Sequence, residues 1–164
     1  MDGKLLYRGK WYLVCLDMDT HRRRIRVELE EDRILLHTPK TDRAFLQEGL
    51  EQWYSRQAHM IFPVRVMHYQ QLTGGRVNQI HIRDQKTRWG SCSSLKNLNF
   101  NWRLVMAPPE VLDYVVVHEL CHLTHMNHSR EFWEMVGRVM PEYRKWKQWL
   151  KENEKLLANM TIFA

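Results

Sequence analysis

Along the first 40 residues short apolar runs alternate with charged ones: LLYRGKWYLVCL carries a turn signal at Gly9, and RIRVELEEDRILLHTP has a charged turn at its centre. This alternation predicts antiparallel strands. From residue 41 the period changes. In TDRAFLQEGLEQWYSRQAHM, Phe45, Leu46, Leu50, Trp53 and Tyr54 recur at helical spacing behind Thr41, a residue suited to an N-cap. Pro63 then fits the first turn of a second helix, which Thr73-Gly74-Gly75 ends. Strand-like stretches return in VNQIHIRDQ, TRWGSCSS and LNFNWRLV, with a hairpin expected from Ser94 to Asn97. In the last of them Leu98, Phe100, Trp102 and Leu104 alternate with Asn99, Asn101 and Arg103. Pro108-Pro109 stops that strand, and Pro109, Glu110 and Asp113 favour the start of a helix through VLDYVVVHELCH.

Beyond that helix the chain is expected to turn at Asn127, the residue type most tolerant of a left-handed backbone after Gly. Ser129 can cap a helix through Phe132, Trp133 and Val136, and Pro141 opens a last helix. Its Tyr143, Trp146 and Leu150 form an apolar stripe suited to core packing. No repeat or Gly/Ser-rich linker divides the 164 residues, so one domain is expected over 1–164. Residues 1–40 make a β-rich part, 41–106 helices and a hairpin, and 107–164 a helical part that carries the chemistry.

Composition narrows the class. Hydrophobic residues at 44%, with seven Trp, suffice for a core and argue against intrinsic disorder. No stretch reaches the roughly 18 uncharged apolar residues needed to span a bilayer, and MDGKLLYRGK lacks an apolar block followed by a cleavage site, so no membrane association and a cytoplasmic location are expected. Cys15, Cys92 and Cys121 are odd in number and scattered, which fits reduced thiols better than a disulfide framework. The net charge of +6 is partly concentrated in HRRRIR at 21–26, either a solvated strand edge or a surface that attracts nucleic acid.

The candidate chemistry lies in YVVVHELCHLTHMNHSREF, with four histidines in eleven positions. On a helix, His118 and His122 differ by about 40° in direction and about 6 Å in height, so both imidazoles can reach one ion. Glu119 lies about 100° around from His118, off the ligand direction but beside the same site, where a general base belongs. Burying these groups without partners would be costly, and a metal satisfies them together. Catalytic zinc usually takes three protein ligands, and two residues compete for third place. His125 lies on the ligand face but about 10 Å up a continuing helix from His118. His128 can fold back beneath the metal if the chain turns at Met126-Asn127, and is the favoured choice, with His125 a supporting or surface residue. Cys121 lies off the ligand face and reads as a small buried hydrophobe. His21, His37, His59, His68 and His81 stand singly, as structural or surface residues.

HELCHLTHMNHSREFW, preceded by TRWGSC, LNFNWRLVMAP and YVVVHELCH, resembles the YgjP-like metallopeptidase family, relatives of the SprT-like and WLM proteases in the small-gluzincin group. The resemblance covers essentially the whole chain and is densest from Thr87 to Trp149. It implies zinc, one ion per chain, held by His118, His122 and His128, with Glu119 catalytic. Metzincins share the five-residue gap, but they carry Gly where His125 stands and a Met-turn signature not found in this chain. The resemblance further implies a mixed α+β fold: N-terminal antiparallel strands, a mixed sheet, a zincin-like HExxH helix and C-terminal helices. It puts the strand before the motif helix at the rim of the cleft, where NFNWRLV is the candidate to pair with an extended peptide. Asn101 and Arg103 then either face the cleft or form the strand's wetter side.

The expected reaction is zinc-assisted peptide hydrolysis with Glu119 moving the proton, and Tyr143 or Arg103 as candidate oxyanion donors. Two alternatives accompany it: a DNA-associated SprT-like protease module, and a non-catalytic binding protein that zinc merely stabilises.

Overall fold

A computed structural model describes residues 3–85 and 87–160. Its first four strands are β1 (Lys4–Tyr7), β2 (Lys10–Met18), β3 (Arg26–Leu29) and β4 (Arg33–Thr38), ordered β1-β2-β4-β3 in one sheet. The β1/β2 and β3/β4 pairs are antiparallel, as expected, whereas β2 and β4 run parallel. A parallel neighbour needs a crossover, and the segment carrying HRRRIR and β3 supplies it. The β1–β2 turn uses Arg8 and Gly9, both at positive φ. That conformation is unusual for Arg8, but the turn is anchored from outside: Arg8 N–H donates to Val105 O at 2.8 Å and Gly9 N–H to Met106 O at 2.9 Å.

One helix, α1 (Arg43–Thr73), replaces the two expected, and Pro63 lies inside it. Proline inside a helix costs about 3 kcal/mol or more through a lost hydrogen bond and a steric clash. Packing on both sides of the proline offsets that cost. Phe62 and Val66 are buried, and Phe62 stacks on Phe100 with ring centroids 4.5 Å apart. The N-cap is Asp42 rather than Thr41, without a side-chain cap bond, and Gly74 ends the helix at φ 71° as its sequence context predicts.

The second sheet contains β5 (Gln79–Arg83), β6 (Gly90–Cys92) and β7 (Asn97–Asn101), ordered β5-β7-β6. β7 is central, parallel to β5 and antiparallel to β6. The expected hairpin joins β6 to β7, with Lys96 N–H donating to Ser93 O at 2.9 Å. Residues Trp102–Met106 form a short 3-10 helix where continued strand was expected. Its start is local chemistry: the Asn101 side chain accepts from Arg103 N–H at 2.9 Å and bends the chain out of the sheet. The buried alternation of Trp102 and Leu104 survives because Trp102 stacks on Tyr54 at 5.7 Å.

The motif helix α2 (Pro109–Cys121) has Pro at its first turn and is buried along most of its length. Asp113, expected to complement the helix dipole, faces α1 instead: the Arg65 guanidinium donates to both its oxygens at 2.8 Å, and Tyr69 O–H donates at 3.0 Å. A bidentate pair fixes angle as well as distance, so it sets the orientation of α2 on α1. The chain then turns without a left-handed Asn127, since Arg8 and Lys96 are the non-glycine residues at positive φ among those described. The turn begins earlier, where Leu123, Thr124 and His125 N–H groups bond back to Leu120 and Cys121 carbonyls. Ser129 caps α3 (Arg130–Val139), accepting from Phe132 N–H at 3.3 Å. The last helix, α4 (Tyr143–Ala158), starts two residues after Pro141 and buries Tyr143 and Leu150. No helix among the described residues is long and apolar enough to cross a membrane.

Candidate metal centre

Helix periodicity puts His118 and His122 on one face of α2, and the turn at 123–128 returns His128 to that face. The Nε2 atoms converge: His128 lies 3.1 Å from His122 and 3.2 Å from His118. Among the described residues this is the one group of three or more metal-binding side chains that could hold an ion. Two nitrogens each about 2.0–2.1 Å from a zinc at tetrahedral angles lie about 3.4 Å apart. Imidazole lone pairs packed this closely repel one another unless a cation or proton lies between them, and a neutral three-imidazole donor set suits zinc. The residues therefore fit a divalent cation.

The ring orientations have identifiable causes. His122 Nδ1 lies 2.9 Å from the His125 carbonyl, which holds the proton on Nδ1 and leaves Nε2 as the donor atom. His118 Nδ1 lies 3.0 Å from Glu119 Oε2 and is oriented in the same way. Phe132 stacks on His122 at 4.5 Å, and Trp133 stacks on His128 at 5.8 Å, so α3 packs behind the ligands. Desolvation, and then the charges of its two imidazole neighbours, lower the His128 pKa and favour its neutral form. The His125 ring is outside the cluster, and its contribution is through the backbone carbonyl.

Glu119 is 4% exposed, between α2 and β6. Gly90 makes room for it. A Cβ at position 90 would lie 3.0 Å from Glu119 Cγ and Oε2 and from Val115 Cγ1. Gly90→Ala is therefore expected to displace the carboxylate while the three imidazoles keep their places. Misplacement of a reacting group by about 1 Å can cost about a hundredfold. A kcat at least about tenfold lower, with zinc still bound but up to about tenfold more weakly as Oε2 shifts from His118 Nδ1, is the expected result, and full activity would mean that the carboxylate does not depend on this contact.

A cleft of about 290 Å³ opens beside His118 and Glu119, lined also by Arg88, Trp89, Tyr114 and Leu150. Tyr114 was not among the candidates from sequence, although it lies four residues before His118 and thus on the same helix face. Its ring is 5.9 Å from that of His118. Burial first, then the charge of Glu119, raises the Tyr114 pKa, which keeps the phenol protonated as a hydrogen-bond donor.

The geometry also sorts the other candidates. β7 has neighbours on both edges and cannot receive a peptide strand; β6, the outer strand beside Glu119, is the edge next to the cleft. Asn101 is buried and donates to the carbonyls of Gln85 at 2.6 Å and Arg88 at 3.2 Å. Arg103 is bound to Asp84 and to the Leu157 carbonyl, each at 3.1 Å, away from the imidazoles. Tyr143 stacks on Trp133 at 5.5 Å and is near enough to Tyr114 to act on its phenol electrostatically. Cys121 is buried, as expected of a small hydrophobe, which pushes its thiol up to about 12. The HRRRIR run lies on the β2–β3 connection and the first residue of β3, with Ile25 packed over Gly49 of α1.

Comparison with known proteins adds the family. The family model described as "YgjP-like, metallopeptidase domain" matches residues 2–153. Among solved structures, the metallopeptidase zymogen abylysin of Pyrococcus abyssi is similar at 23% identity and a TM-score of 0.52, over 62% of this chain and 100% of that one. The metallopeptidase zymogen jannalysin of Methanocaldococcus jannaschii is 25% identical, with a TM-score of 0.49, over 58% of this chain and 96% of that one. The first likeness supports the fold. No curated protein sequence matches.

Proposed function

Because the chain belongs to the YgjP-like metallopeptidase family, we propose that it hydrolyses peptide bonds with one zinc ion held by His118, His122 and His128, and with Glu119 as the proton-transfer group. The observation that carries this reading is the convergence of three Nε2 atoms beside a buried carboxylate. When bound, zinc supplies a Lewis acid that polarises a carbonyl and activates water near neutral pH.

The chain's own residues do the rest. The His125 carbonyl and Glu119 Oε2 keep two of the ligand rings in the tautomer that presents Nε2. Glu119 Oε1 accepts no hydrogen bond from a described residue; it takes the proton from the attacking water and delivers it to the leaving amine. Tyr114, neutral and lining the cleft, donates to the carbonyl oxygen as charge develops there. An extended substrate pairs along the outer edge of β6, which brings its backbone past Glu119.

We take the whole chain as one such domain. Cytoplasmic residence is part of the same proposal, supported by three unpaired cysteines. The test is digestion of a defined peptide mixture by the zinc-loaded protein. New peptide termini should appear, vanish after chelation and return with added zinc. Zinc-loaded protein that leaves every peptide intact would contradict the reading, and would favour an ion that only ties α2 to the following turn.

A further inference from the structure

Two cations stand at or near the cleft. Arg88 lines it on one side, and its backbone is pinned because Asn101 donates to the Gln85 and Arg88 carbonyls. On the side of α4, Lys147 Nζ lies 4.1 Å from the centroid of the Trp133 ring, and that ring lies 5.8 Å from those of both His118 and His128. Lys147 is also one helical turn before Leu150, which lines the cleft. A cation–π contact steadies the ammonium without neutralising it.

Four arginines elsewhere are paired: Arg65 with Asp113, Arg103 with Asp84, Arg130 with Glu134 and Arg33 with Glu30. Neither Arg88 nor Lys147 has a carboxylate partner among the described residues, and both are solvent-exposed. Glu119 is the one carboxylate among the lining residues described, and it is buried. One exposed cation therefore lines the cleft and a second lies beside the aromatic ring that packs on the ligands, in a chain whose net charge is +6. Such a field draws in and retains anionic groups and repels cationic ones.

We propose that the enzyme selects peptides carrying an acidic residue within about three positions of the scissile bond, with Arg88 and Lys147 as the specificity-determining residues. This rests on the peptidase reading above. The inference concerns preference among cleaved peptides, and the reading concerns cleavage itself, so one set of substrates separates them.

The experiment uses zinc-loaded full-length protein and matched peptides in which one position at a time, on either side of the cleaved bond, is Glu, Gln or Lys. At low salt, kcat/KM for Glu is expected to exceed that for Gln by about tenfold at one position or more, with Lys slowest. The ratio should shrink at high ionic strength. Arg88→Gln should lower the Glu/Gln ratio, and Lys147→Glu should move the preference toward Lys. Equal rates for Glu and Gln peptides in native protein would overturn the proposal, as would an unchanged ratio in both variants. If no peptide of the set is cleaved, the peptidase reading fails and the inference falls with it.

Discussion

Glu119→Gln is expected to keep its zinc and lose its catalysis. The amide is nearly isosteric with the carboxylate, and its oxygen can still accept from His118 Nδ1, now 3.0 Å from Oε2. The ligand rings should therefore stay oriented and the contact with Gly90 should be preserved. What disappears is a group able to take up a proton, a contribution typically worth about 10²–10⁴-fold in rate. The measurement is kcat on a cleaved peptide beside zinc content by mass spectrometry. A loss in that range with one zinc per chain supports the assignment. An active variant would remove Glu119 from the reaction, and a zinc-free one would show that its main task is to orient His118.

The second large effect is on the metal itself. His128→Ala removes one of the three converging nitrogens, whereas His125→Ala removes a ring that lies outside the cluster and leaves its backbone carbonyl in place. Loss of an outer partner of a metal ligand typically costs about 10–100-fold in affinity, and loss of a ligand should cost more. Zinc titration against a competing chelator is expected to show His128→Ala weakened by more than about a hundredfold and His125→Ala within about threefold of native. The reverse order would exchange the roles of the two histidines.

These expectations rest on features that differ in how openly the sequence displays them. His118, His122 and Glu119 follow from helical spacing alone, because α2 is regular and the distances between its side chains are set by geometry. His128 needed a turn, and the chain does bend at Met126 and Asn127 as expected, but by another route. Asn127 is not left-handed, and the reversal starts with backbone bonds at 123–125, a pattern to which no single residue type points. Tyr114 was hidden for another reason. It lies within an apolar run that reads as core, and only the cleft beside β6 reveals that its ring lines open space.

Long-range packing accounts for the remaining differences in fold. Pro63 is a helix-start signal by itself, and only the burial of Phe62 and Val66 on either side explains how α1 continues through it. The alternation of Leu98 through Leu104 reads as one strand, but the side chain of Asn101 ends β7 and leaves Trp102 and Leu104 buried by a different route. Pairing with β5 and β6 also makes β7 a closed central strand and β6 the edge beside Glu119, so the surface available to a substrate backbone could not be assigned from periodicity. The parallel pairing of β2 with β4 is likewise invisible to a pattern of alternation, which is the same for either direction.

X-ray absorption at the zinc edge of the loaded protein, repeated on His128→Ala, tests the metal centre most directly. Three imidazole nitrogens at about 2.0–2.1 Å are predicted for the native protein, falling to two in the variant. A native spectrum with only two imidazoles, or one that His128→Ala leaves unchanged, would contradict the assignment of His118, His122 and His128 to a single cation.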